Sequence, residues 1–299
     1  MNFRATDSSS SFTSHINMQR NRMSVFQERI LTGKRINRPS DDPGGAEAVM
    51  RLRTSQTEIG QFQRNAQTAN QKLSAADGPL DNYQTILERV KTLVTQGLSD
   101  TTTPLVREGL AIEIETLRTR IINVANSQNG DEYVFGGTRQ NAPPFDYATA
   151  TPAATPTTAQ YIQIEPGANA IAVGVTAETI FSDTTSTIFA DLTNAANAMR
   201  GTGDAAADKA TLQTTITRLN TFRDLAINAQ TRVGANMNVT EIASENLGIN
   251  FLSFDERVTA IEGADFGESA IGLTEAQRAL EATLQIAANG RRSLFDFLG

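Results

Sequence analysis

The sequence predicts a mainly α protein: an elongated bundle of long antiparallel helices, with paired N- and C-terminal helices and a small β-rich insertion. Three observations carry this expectation. Phe62, Ala66, Ala69, Leu73, Ala76, Leu80, Tyr83, Leu87, Val90 and Val94 alternate at spacings of three and four without a break, the pattern of helices packed along a seam. Hydrophobic residues make up 39% of the 299, aromatics 6%, and Trp is absent. So little bulk suits narrow helical seams better than one thick core. Between residues 140 and 185 the helical pattern gives way to Pro, Thr, Gly and short β-prone runs.

The main helix is expected from Pro43 to near Gly97, about 80 Å at ~1.5 Å per residue. Asp42 is a good N-cap, Pro43 suits the first helical position, and Glu47 lies in the early turns. Gly78 and Pro79 interrupt the seam. A proline inside a helix costs ~3 kcal/mol, so a bend or short break is expected there. A second helix can be capped by Thr103 and started by Pro104. Leu110, Ile114, Leu117, Ile121 and Val124 repeat the seam, and Asn129-Gly130 is the expected stop. The short loop between the two helices predicts antiparallel packing.

Tyr133, Val134 and Phe135 read as strand, followed by Gly136-Gly137 and Pro143-Pro144. Residues 148–159 are only Ala, Thr and Pro, which reads as a surface loop. Short strands are expected at Tyr161–Ile164 and Ile171–Val175. Helix returns near Ile188, and a long helix covers residues 205–262. Its cleanest seam is Leu247, Phe251, Phe254, Val258 and Ile261, with Gly263 as C-cap.

Both chain ends carry seams as well. Phe12, Ile16, Met23, Phe26 and Ile30 fit one heptad, in which Gln19 is the odd member. Leu273, Ala276, Leu280, Leu284, Ala287, Leu294 and Leu298 fit another, with Arg291 the odd member. Isolated amphipathic helices of this length are marginal in water. The ends are therefore expected to stabilise each other or to pair with other subunits, and to be poorly ordered in the free monomer. Phe295 and Phe297 add to an apolar density at 294–298 that fits a shielded interface. The expected division is a terminal module at 1–40 and 264–299, a long-helix bundle at 41–139 and 186–263, and the insertion at 140–185.

Composition also excludes functions. With no Cys, disulfides, thiol catalysis and Cys-bound zinc are out. No run approaches a membrane span, and the polar start, with Asp7 and Ser8 to Ser11, does not read as a cleaved signal peptide. Net charge is −7; residues 1–40 carry +5 and the remainder −12. The whole is not built for nucleic acid. The basic start reads as a solvated face, or as a surface that meets acidic faces of neighbouring subunits.

Catalytic readings are weak. His15, the single histidine, lies beside a seam without a nucleophile motif. Asp41-Asp42 before a proline reads as a cap. Gly136-Gly137 lacks the Lys-Ser or Lys-Thr of a phosphate loop. An enzyme carried on the insertion would have to use Asp146, Glu165, Glu178 and Asp183. The expectation is a non-enzyme, without cofactor or metal.

Three segments then show a family likeness. Thr32-Gly33-Lys34-Arg35-Ile36-Asn37-Arg38-Pro39-Ser40-Asp41-Asp42-Pro43 resembles the signature at the first long helix of the flagellin superfamily. Its Arg-Pro-Ser-Asp-Asp-Pro form is closer to the hook–filament junction members than to filament flagellins. Gly130 to Gly137, followed by Asn141-Ala142-Pro143-Pro144-Phe145, resembles that family's strand and turn. The ending Ser293-Leu294-Phe295-Asp296-Phe297-Leu298 is similar to the junction members' C-terminus.

The resemblance implies a flagellin-like helical bundle and a structural subunit joining hook to filament, needed for filament assembly and motility. It implies export by the flagellar type III apparatus without a cleaved signal, and an extracellular place in the flagellum. The implied partners are copies of the chain in a ring, an adjacent hook-associated protein, flagellin, and an export chaperone at the C-terminal segment. The assembly residues would be Phe12, Ile16, Met23, Phe26, Ile30, Leu273, Leu280, Leu284, Leu294, Phe295, Phe297 and Leu298. A filament flagellin and a soluble helical binding module remain as alternatives.

Overall fold

The computed structural model describes the backbone of residues 3–152, 157–167 and 170–298, and within it the side chains between residues 12 and 286. The fold is mainly α. The helices are α1 (Phe3–Thr32), α2 (Pro43–Gly97), α3 (Pro104–Ala125), α4 (Ala177–Phe181), α5 (Ile188–Arg200), α6 (Ala205–Glu262) and α7 (Phe266–Leu298). Strands β1 (Gln128–Asn129) and β2 (Glu132–Tyr133) form one antiparallel ribbon, and β3 (Tyr161–Ile162) and β4 (Ile171–Ala172) another. The chain divides into two compact units, residues 1–58 with 249–299, and residues 59–248.

In the unit of residues 59–248 the α2 seam is buried from Ala66 to Val94, with Phe62 half-buried at its start. Pro79 sits inside α2 without a break. Ala76, Leu80 and Tyr83 are fully buried on either side of it, and that packing offsets the missing backbone hydrogen bond.

The seam that α6 buries keeps Leu247 and Val258 of the expected one and runs further toward the start of the helix. Leu212, Thr215, Leu219, Phe222, Ala226, Ala229 and Val233 are buried, as are Thr240, Ala243 and Leu247. Phe251 is exposed, and Phe254 and Ile261 are half-buried. Polar members hid this seam in the sequence. The Thr215 and Thr240 hydroxyls each donate to the carbonyl four residues back, Thr211 O at 2.9 Å and Asn236 O at 2.7 Å, so both can be buried without an orphaned donor. Side-chain bonds tie α2 to α6 along the same stretch: Gln84 to Gln230 at 2.7 Å and Lys91 to Asn220 at 2.9 Å.

Thr103 caps α3 as expected, its side chain accepting from Val106 N. The helix ends at Ala125, before the expected Asn129-Gly130. Asn126 takes the chain out of the helix by bonding both backbone groups of Phe145: Nδ2 donates to the carbonyl at 2.9 Å and Oδ1 accepts from the amide at 3.1 Å. Gly130, at φ +63°, instead makes the turn between β1 and β2.

The expected strands shorten to two-residue ladders because the flanking residues turn inward. Phe135 is fully buried, and Ile164 and Val173 pack on Ala66, Ala69 and Ala243. The insertion also contributes α4. Its Phe181 meets Tyr83, Phe135, Phe145 and Phe189 at ring distances of 4.6, 5.7, 6.0 and 6.3 Å.

In the unit of residues 1–58 and 249–299, α1 packs along α7. Gly272 leaves room for the Phe26 ring; a Cβ there would stand 2.5 Å from it. The backbone of α7 continues through Asn289-Gly290.

Candidate functional site

The segment that carries the family-like signature, residues 32–43, connects α1 to α2 and is fastened to the α6–α7 connection. Gly33 adopts φ +68°, a left-handed conformation that glycine takes without strain. Its carbonyl accepts from Ala264 N at 2.9 Å, and Arg35 N donates to the Glu262 carbonyl at 2.6 Å. Lys34 and Gly263 thus form an antiparallel bridge.

The two aspartates organise the turn. Asp41 Oδ2 accepts from Asn37 N at 3.1 Å and Arg38 N at 2.9 Å. Asp42 Oδ1 accepts from Gly45 N at 2.9 Å, capping α2, and Oδ2 takes Arg35 Nη2 at 3.1 Å. The Gly45 amide first, and Arg35 next, hold the Asp42 carboxyl below its ordinary pKa. A lowered carboxyl pKa means that the cap stabilises the fold at neutral pH. Its contribution is lost as acid protonates the group through that lowered value.

Glu262 is the residue that sequence reasoning missed. It is buried, and its carboxylate sits between Lys34 Nζ at 2.9 Å and Arg53 Nη2 at 2.6 Å. Arg35 Nη2 adds a bond to the Ile261 carbonyl at 3.0 Å. One signal was available in the sequence. An acid at the last position of a helix faces the partial negative charge of the carbonyl end, so a glutamate just before Gly263 demands cations. Glu262→Ala should destabilise this unit by about 2 kcal/mol, typical of hydrogen bonds to charged groups. Lys34 and Arg53 are about half exposed, at 45% and 50%, and can return to water, which keeps the loss modest. Protease cleavage of α1 and α7 in the variant should become faster; an unchanged rate would count against the fastening role.

The structure brings the terminal residues together on the α1–α7 pair but does not bury them. Phe12, Ile16, Met23, Phe26, Ile30, Leu273 and Leu280 are half-buried, and Leu284 is 45% exposed. Among the described residues of α7, Ser269 and Ala276 are buried. Leu31, Phe266, Ile271 and Ile286 are exposed apolar side chains beside them. Leu294, Phe295, Phe297 and Leu298 lie outside the described side chains. His15 is exposed on α1.

The insertion carboxylates do not converge. Asp146 accepts from Ala148 N, Thr149 N and the Thr149 hydroxyl. Asp183 accepts from Thr185 N and Ser186 N and pairs with Arg218. Glu178 Oε1 accepts from Thr157 N. Each anchors a turn. Among the described residues, no group of three or more His, Asp or Glu could hold a metal ion, and no helix is long and apolar enough to cross a membrane.

Comparison with known proteins follows the same lines. Residues 6–139 match the family model of the bacterial flagellin N-terminal helical region. Flagellar hook-associated protein 3 of Salmonella typhimurium is 32% identical over 123 residues, 41% of this chain and 39% of that protein. Flagellin B of Helicobacter pylori is 34% identical over 140 residues, 46% of this chain and 27% of that protein. The matched stretches thus span well under half of these relatives. The fold of a flagellar hook-associated protein 3 from Legionella pneumophila superposes with a TM-score of 0.64 at 13% identity, over 71% of this chain and 98% of that one; at that identity the likeness is one of fold. The N-terminal match and the hook-associated relative agree: residues 6–139 of this chain are similar to the bacterial flagellin N-terminal helical region.

Proposed function

We propose that this chain is a structural subunit of the bacterial flagellum that joins hook to filament, with no enzymatic role. The observation that carries this reading is the α1–α7 pair, fastened at its base by Glu262 yet leaving a run of apolar side chains in solvent. Such a surface serves assembly rather than catalysis. In this reading the exposed face meets neighbouring copies in a ring, an adjacent hook-associated protein on one side and flagellin on the other. Before assembly an export chaperone covers the C-terminal segment, and the chain leaves the cell without a cleaved signal. The Arg-Pro-Ser-Asp-Asp-Pro turn, the apolar ending and the fold shared with a hook-associated protein 3 favour the junction over the filament. The identity to a flagellin B favours the filament reading, which makes the discriminating experiment direct.

Cells lacking the gene should show bare hooks by electron microscopy, with flagellin lost to the medium, because filament subunits are exported but have no platform. Bare hooks without flagellin in the medium would point to the filament subunit, and intact filaments would overturn both readings. The same proposal holds that the terminal module becomes ordered on assembly. Limited proteolysis of the monomer should then trim residues 1–40 and 264–299 first, and termini that resist protease in dilute monomer would contradict it.

A further inference from the structure

In the unit of residues 59–248 the outer strip of α3 is left without a partner. Leu105 is 84% exposed and Ile112 53%. Two helical turns separate them, so both lie on one face of the helix. The acids beside this strip are neutralised within the chain. Glu113 pairs with Arg89 at 2.6 Å, and Glu108 and Glu115 pair with Arg200 at 3.2 and 2.6 Å. Arg120, which borders the same face, is exposed, and among the described residues no carboxylate pairs with it. The strip thus presents apolar side chains and one free positive charge.

The same unit carries a groove of complementary character. It lies between α2 and α6 and encloses about 950 Å³. Ala66, 1% exposed, and Met237 give it an apolar floor. Glu241 and Glu245 line it one turn apart on α6, and among the described residues neither meets a cation. Like charges at that spacing repel, and a cation from outside relieves them. Arg64, on the α2 wall, is held by its Nη2, which donates to Gln61 Oε1 at 2.7 Å. Beside the acids, Ile242 is 59% exposed.

We propose that the outer strip of α3 docks in the α2–α6 groove of a second copy of this chain. Ile112 seats on the Ala66–Met237 floor, and the Arg120 guanidinium meets the Glu241 and Glu245 carboxylates. The lengths agree. Ile112 and Arg120 stand ~12 Å apart along α3, and the groove follows α2 from Gly60 to Asn70, ~15 Å, so both contacts form at once. Charge selects the occupant: the groove has two uncompensated acids, and Arg120 is a cation left over beside exposed apolar side chains. Strip and groove are different surfaces, so the contact is head-to-tail. Such a contact repeats from copy to copy and closes into a ring where the rotation allows. The inference rests on the reading of the chain as an assembling flagellar subunit and names a surface by which copies meet.

The test is thiol crosslinking in assembled flagella. The chain has no Cys, so introduced cysteines report one contact. Thr116, one turn before Arg120, and Gln67, in the groove wall, are both exposed. The full chain carrying Thr116→Cys and Gln67→Cys together is returned to the deletion strain, and isolated flagella are treated with a short bismaleimide. A ladder of dimers, trimers and higher species of this chain is expected, and only monomer from either single variant. Adding Arg120→Glu should cut the crosslinked yield about tenfold, and Glu241→Arg with Glu245→Arg should restore it. Arg120 is exposed and unpaired, so the thermal melt of Arg120→Glu should match the wild type. No ladder, a ladder indifferent to Arg120→Glu, dimers from a single variant, or a crosslink only to a different flagellar protein would each overturn the contact. Should the cysteine pair itself block assembly, filament growth of the charge variants decides: loss in Arg120→Glu with rescue by the two arginines supports the contact, and loss without rescue, or no loss, overturns it. The deletion phenotype reads where the chain acts and the ladder reads how copies meet. Bare hooks in the deletion strain with no ladder in the complemented one would keep the junction and discard the groove.

Discussion

Phe181→Ala is expected to lower the unfolding free energy of the unit of residues 59–248 by roughly 3–5 kcal/mol, the range for truncating a buried aromatic. The side chain is fully buried. It touches four other rings: Tyr83 at 4.6 Å, Phe135 at 5.7 Å, Phe145 at 6.0 Å and Phe189 at 6.3 Å. These come from α2, the segment after β2, the loop before residue 150 and α5, so one truncation loosens four parts of the unit at once. The Tyr83 hydroxyl adds no anchor to the cluster. It is buried without a partner among the described residues, and burial pushes its pKa well above the ordinary value. The ring is therefore held by packing alone. Phe181→Leu keeps most of the volume and should cost less, about 1.5 kcal/mol. The measurement is denaturant unfolding followed by near-ultraviolet circular dichroism. The chain has no Trp and four Tyr, at positions 83, 133, 147 and 161, all within this unit. The tyrosine signal thus reports this unit separately from the terminal helices. A midpoint unchanged by Phe181→Ala would mean that the aromatic cluster is not the keystone proposed.

The long-range organisation was legible because it rests on periodicity. The α2 seam, its capping by Asp42 and the span of α6 follow from a 3–4 spacing and from residues whose chemistry starts or stops a helix. What was not legible rests on pairwise contacts between distant residues. The early end of α3 depends on Asn126 finding the backbone of Phe145. The α6 seam ahead of Leu247 was not read because Thr215 and Thr240 are buried by bonding their own helix, which a hydrophobic pattern does not register. α4 was missed because five residues carry no period, and its role depends on where Phe181 lands. For the candidate site, the motif at 32–43 was readable as a turn and a cap. Its partner Glu262 lies more than two hundred residues away, and only the fold brings it to Lys34 and Arg53.

Leu284→Asp should abolish incorporation into the flagellar structure while leaving the monomer intact. The two halves of that expectation rest on one number. Leu284 is 45% exposed in the single chain, so a charge there remains solvated, and stability should change by no more than about 0.5 kcal/mol. In the proposed assembly the same position is buried against a neighbouring subunit. An unpaired carboxylate would then lose its water, at several kcal/mol for an uncompensated buried charge. That penalty is large against the energy that a few central residues supply to an interface. Gln285→Asp supplies the control, because it introduces the same carboxylate one residue further along α7, at another exposed position. Both variants should be purified with wild-type melts and tested by complementing the deletion strain for swimming and filament growth. Gln285→Asp should restore filaments and Leu284→Asp should not. Filaments from both would remove Leu284 from the interface. Failure of both would mean that this stretch of α7 tolerates no added charge, and would place the contact surface over a broader face than the Leu273–Leu280–Leu284 seam.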